Sequence, residues 1–146
     1  MKTNTLFLLL VSIFPLCLSA QENILIHNAW INEAPPNVRV NAGYFEIENH
    51  QQHAITLVQV SSEEYERIDI HRSVVSDGVA KMVLQKSVII AANTALTFVP
   101  GDYHLMLHHP RKQFRAGQQI LLSLMFANGK EMTVMAEIRR LHGHHH

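Results

Sequence analysis

The stretch PGDYHLMLHHP, Pro100 to Pro110, alternates His104, Met106 and His108 with Leu105 and Leu107. Side chains on a strand point to opposite faces in turn, so the two histidines and the methionine share one face and the leucines the other. Residues two apart on a strand face are separated by roughly 6.5–7 Å at the backbone, and two such side chains can converge on one ion above the sheet. His-x-Met on a strand is therefore a workable chelating unit. The plainer alternative is a packed Met106 with His104 at its rim, since methionine usually fills gaps in cores. A second pair brackets a hairpin signal: His71 lies before Asp77-Gly78 and Met82 after it. Asp-Gly favours a two-residue turn, which makes His71 and Met82 rough cross-strand neighbours.

Imidazole with thioether narrows the choice of ion. Thioether sulfur is soft and uncharged, poor for Mg²⁺, Ca²⁺ or Zn²⁺ and good for Cu(I). Two histidines and two methionines form a neutral set that holds Cu⁺ without a thiol. A hydrolytic zinc site would instead use histidines and carboxylates and keep a position for water.

The elements that must position these residues begin after an apolar leader. Lys2 precedes LFLLLVSIFPLCL, a run too short for a comfortable membrane span, and LSA offers small residues before Gln21. This is the layout of a secretory signal peptide, residues 1–20, with cleavage expected after Ala20. A lipid anchor would use Cys17, but Leu16 before it is bulky. Cys17 is the single cysteine of the 146 residues, so the exported chain has no disulfide or thiol. Zinc-finger, iron–sulfur and thiol-nucleophile readings fall away with it, as does the thiolate a blue copper site needs. The 126 residues that remain suffice for one core. Their 11 basic and 12 acidic residues create no basic field for nucleic acid or anionic lipid.

The remainder reads as short strands rich in Val, Ile, Thr and aromatics. They are expected at 24–30, 38–49, 54–61, 65–72, 79–85, 87–91, 94–99, 103–108, 119–127 and 131–139. Pro35-Pro36, Asp77-Gly78, Asn93, Pro100-Gly101, Gly117 and Asn128-Gly129 punctuate them. Spacing near ten residues suggests an all-β sandwich or barrel. Asn128-Gly129 reads as a tight hairpin turn whose twist matches its strands. Trp30, Tyr44 and Phe45 are expected in the core.

His71-x10-Met82-x21-His104-x-Met106 resembles the signature of the periplasmic PCuAC-type copper chaperones. AWINEAPPNVRVNAGYFEIEN (29–49), DGVAKM (77–82) and VPGDYHLMLHHPRKQFRAGQQILLSLMFANG (99–129) are similar to that family's segments, so the likeness spans about 29–139. The resemblance implies a cupredoxin-like Greek-key β-sandwich over 21–140 that binds Cu(I) through His71, Met82, His104 and Met106. It further implies delivery toward the copper A centre in subunit II of cytochrome c oxidase, with a Sco-family thioredoxin-like partner. Copper storage or tolerance is the family's other role. Arg72 stands where the family often carries an acidic residue, and His108 and His109 stand where members often have another Met.

His108 shares the ligand face and is an auxiliary candidate, with a solvated rim position as its plainer reading. The tail at 141–146 adds His142, His144, His145 and His146, a cluster suited to Cu(II). His27, His50 and His53 read as structural. No Gly-x-Ser-x-Gly elbow or His-Glu-x-x-His motif supports an enzyme. A monomeric carrier in the periplasm is the expectation. A metal-free interaction sandwich is the competing class.

Overall fold

The computed structural model describes residues 23–140. Ten strands follow in chain order: β1 (Ile24–Asn32), β2 (Val40–Asn49), β3 (Ile55–Ser61), β4 (Tyr65–Ser76) and β5 (Val79–Gln85), then β6 (Val88–Ile90), β7 (Thr94–Thr97), β8 (Tyr103–Pro110), β9 (Gln119–Phe126) and β10 (Glu131–Arg139). Every strand expected from the sequence is present. The leader with Cys17 and the tail histidines His142, His144, His145 and His146 lie outside the described residues.

Alternation explains the layering. On β9, Ile120, Leu122, Leu124 and Phe126 are buried while Gln119 and Leu121 between and before them are exposed. On β8, Leu105 and Leu107 are wholly buried. Hydrogen bonding runs in the order β5-β4-β8-β2-β1-β10-β9-β3-β6, and β7 pairs with β2. The pairs are antiparallel except β1 with β10, which run parallel where Trp30–Asn32 meet Glu137–Arg139. The path doubles over, so that Ile70, Leu105 and Leu107 from one side join Leu57, Leu122 and Leu124 from the other in a single core. Each such side chain contributes about 1.5–3 kcal/mol by leaving water.

Three local features place the outward face. First, β2 changes partners: Val40–Gly43 pair with β8, and Glu46–Asn49 pair with β7. Gly43 lets β2 and β8 come close, because a Cβ there would stand 2.9 Å from Leu107 Cδ1. Second, Asp77 and Gly78 both have left-handed backbones, at φ 54° and 74°. That is the tight turn expected at the β4–β5 tip. Third, Asn28 has φ 53°, at a register shift between His27 and Trp30. Because His27 pairs with Glu46 and Trp30 with Tyr44, the bulge keeps both outward despite their odd spacing.

The β9–β10 hairpin differs from the expected tight turn. Gly129 alone is left-handed, at φ 84°, and its N–H donates to the Phe126 carbonyl. Phe126 N–H in turn donates to the Lys130 carbonyl, closing a three-residue loop. This is a type I turn followed by a left-handed glycine, which suits Asn-Gly equally well.

Candidate metal centre

The face opposite the core on β4, β5, β8 and the first half of β2 carries the four expected ligands. His71 on β4 pairs directly with His104 on β8, and Asp69 pairs with Met106. Met82 pairs with Ser73; His71 itself faces Leu84. Met82 is thus two residues nearer the hairpin tip than the sequence suggested, because the turn centres on Asp77-Gly78 rather than midway between His71 and Met82. The period of two still leaves it on the ligand face.

On a flat ladder Met82 and Met106 would stand roughly 16 Å apart at the backbone, two strands across and four residues along. Instead the two methionines and His104 line a single cleft with Ser73, Tyr44 and Ala42. Two-stranded ribbons twist most, and such a twist in β4–β5 would carry the hairpin toward β8. His71 is not among the residues lining that cleft. It meets the site from the β4 side, with its ring centroid 6.0 Å from that of His104.

The imidazoles are poised by what they lack. His104 is 6% exposed, and its Nδ1–H donates to the Asp102 carbonyl at 2.9 Å. That bond leaves Nε2 as the lone-pair nitrogen, and Nε2 is buried with no hydrogen-bond partner. His71 Nδ1 is buried and unpartnered as well. Burial, with the neighbouring His104 ring, pushes the His71 pKa below the ordinary histidine value and favours the neutral, metal-binding form. The Asp102 carbonyl also accepts Ser73 N–H at 3.1 Å. The Asp102 carboxylate takes Arg72 Nε at 2.8 Å, and the Arg72 guanidinium lies 4.7 Å from the Tyr103 ring centroid. Arg72 thereby anchors the turn that orients His104. Sequence reasoning missed Asp102, because a backbone carbonyl leaves no signal in residue type.

Met82 is 64% exposed, at the mouth of the site. Met106 is half-buried. His108, read first as a solvated rim residue, is mostly covered, with its side chain 16% exposed. Its Nε2 lies 3.1 Å from Asp69 Oδ2 without hydrogen-bond geometry, so it too is a buried unpartnered nitrogen, and Arg67 Nε donates to the same Asp69 oxygen. His109 alternates away from the ligand face and is exposed: its φ is 50°, and its ring contacts Glu66 at 3.2 Å. Phe45 does serve the core, stacked on Phe98 at 4.2 Å. Trp30 does not; the β1 bulge turns it outward against Tyr44, with ring centroids 4.4 Å apart. Tyr103 packs on Phe98.

Residues 24–138 match the LpqE-like family. Protein RP573 of Rickettsia prowazekii is 29% identical over 99 residues, covering 67% of this chain. The chain spans 55% of that relative's length. A Leifsonia xyli protein named "Putative lipoprotein Lxx21020" is 24% identical over 123 residues, covering 84% of this chain and 73% of its own. Among solved structures, the copper-bound PCuAC domain from PmoF2 superposes with a TM-score of 0.70 at 18% identity, over 82% of this chain and 94% of that one. Apo-DR1885 from Deinococcus radiodurans superposes at 0.65 and 19% identity, over 97% of both. The chain belongs to the LpqE-like family, and its fold is the cupredoxin-like β-sandwich of the PCuAC domains.

Proposed function

We propose that the protein is a periplasmic copper carrier that holds one Cu(I) through His71, Met82, His104 and Met106 and passes it on by ligand exchange. The observation that carries this reading is the pair of unpartnered nitrogens, His71 Nδ1 and His104 Nε2, beside a cleft lined by two thioethers. A metal bound at 2.0–2.1 Å lies about 3.2 Å from an imidazole centroid, so two rings sharing an ion stand up to about 6.4 Å apart. The 6.0 Å between His71 and His104 suits a shared ion. The fold of copper-bound PCuAC domains supports the same reading.

Exposure supports transfer over sequestration. Met82 is the open ligand, and a weak, flexible thioether at the mouth is the first a partner's donor would displace. The remaining donors then leave in turn while the ion stays reduced and no covalent bond is made. The copper A centre in subunit II of cytochrome c oxidase is the proposed destination, with a Sco-family protein as partner. A cleaved leader at 1–20, or a lipid on Cys17 as the relative's name suggests, would keep the carrier in that compartment. The test is to mix the Cu(I)-loaded protein with an apo copper A domain under reducing conditions, then reoxidise. Appearance of the mixed-valence copper A absorption supports delivery; retention of all copper on the donor makes storage or tolerance the function.

A further inference from the structure

A second group of donors lies on the β1–β2 ladder, beyond the Trp30–Tyr44 pair that borders the copper cleft. His27 precedes the left-handed Asn28 and pairs with Glu46. Glu48 is two residues further along the same face of β2, and His50 follows the strand's end. His27 Nε2 is 2.9 Å from Glu48 Oε1 and 4.0 Å from Glu46 Oε1. His50 Nε2 is 2.8 Å from the other oxygen of Glu48. One donor atom from each of His27, Glu46 and Glu48 lies within 4.8 Å of the others.

We propose that His27, Glu46 and Glu48 bind a divalent first-row transition ion of the Cu(II) or Zn(II) class, with His50 holding the far oxygen of Glu48. Tetrahedral ligands on bonds of 2.0–2.2 Å sit about 3.4 Å from one another. The 2.9 and 4.0 Å separations from His27 to the two carboxylates bracket that value. Imidazole with carboxylate and no sulfur suits Zn(II) and Cu(II); it is too hard for Cu(I) and too rich in nitrogen for Mg²⁺ or Ca²⁺. All three donors come from the paired strands β1 and β2, so little order must be gained on binding. In the metal-free protein both rings stand at hydrogen-bond distance from Glu48, and an ion would take the His27 Nε2 lone pair in place of that contact. The outward face of the sheet would then carry sites of two kinds: soft donors on β4, β5 and β8, and nitrogen–oxygen donors on β1 and β2.

The test is a ¹H–¹⁵N spectrum of the protein during titration with Cu(II), whose paramagnetism erases nearby signals. One equivalent should erase the amides of residues 25–27 and 46–50, and Glu48→Gln, which keeps the shape of the side chain, should restore them. Zn(II) calorimetry should likewise lose one equivalent in Glu48→Gln and in His27→Gln. Broadening confined to the C-terminal histidines or to the His71–His104 face overturns the proposal, as does Zn(II) stoichiometry unchanged in both variants.

Discussion

His71 and His104 are direct cross-strand partners on β4 and β8, and each keeps one buried ring nitrogen without a hydrogen-bond partner. A buried polar atom left unpaired costs about 1–3 kcal/mol. An ion shared by the two rings, as proposed, would remove that cost. Loading with Cu(I) at 100 times Kd should stabilise the fold by about 2.7 kcal/mol, read as a rise in Tm by scanning calorimetry. His104→Ala should abolish that rise. A rise of equal size in His104→Ala would contradict the assigned role.

Arg72 and Asp102 hold the turn that orients His104. Their pair is nearly half exposed, so its direct worth is at most about 1 kcal/mol. Arg72→Ala should weaken Cu(I) binding by a few fold in competition with a chromophoric chelator, with little change in Tm. An affinity equal to wild type would show that the Asp102 carbonyl needs no support from the carboxylate's partner.

Gly43 sits where β2 crosses closest to the core side of β8. The Cβ of alanine would stand 2.9 Å from Leu107 Cδ1 and 3.4 Å from Ile31 Cγ1. Overpacking of this kind costs about 1–3 kcal/mol. Gly43→Ala should lower the denaturant midpoint by a corresponding amount. Because β2 abuts the strand bearing His104 and Met106, it should also lower Cu(I) affinity. A stable variant with weakened affinity would locate the effect in strand spacing.

Glu33 ties the end of β1 to two distant arginines, accepting from Arg140 Nε at 3.1 Å and Arg115 at 3.4 Å. The Arg140 hydrogen bond, with help from Arg115, holds its pKa below the usual carboxylate range. A depressed carboxylate adds stability above its unfolded pKa and loses it as pH falls through the folded one. Glu33→Gln should therefore be less stable than wild type near neutrality, with the difference shrinking at acid pH. Urea midpoints measured across that range check the sign; a gap that widens toward acid would refute it.

The strands were legible because Leu105, Leu107, Ile120, Leu122 and their like alternate cleanly with polar residues, and period two is a strong signal. The Asp77-Gly78 turn was legible for a similar reason, since few residue pairs accept two left-handed backbones. Register was harder. Counting strictly from a two-residue turn at Asp77-Gly78 sets Met82 against Ser73, two places from the rough pairing with His71, so the offset lay in the approximation and not in the turn. The outward Trp30 escaped notice because a bulge at one asparagine reverses facing, and aromatic character alone favours burial. The grouping of His27 and His50 with Glu46 and Glu48 depends on the pairing of β1 with β2, which no single segment encodes.

The central claim is one Cu(I) held by two nitrogens and two sulfurs. X-ray absorption at the copper edge of the protein loaded with one equivalent of Cu(I) tests it directly. The account predicts a Cu(I) edge with about two imidazole nitrogens near 2.0 Å and two thioether sulfurs near 2.3 Å, roughly the distance of a metal–sulfur bond. Met82→Ala combined with Met106→Ala should remove the sulfur shell. A shell of nitrogen and oxygen alone in the wild-type protein, or sulfur scattering that persists in the double variant, would contradict it.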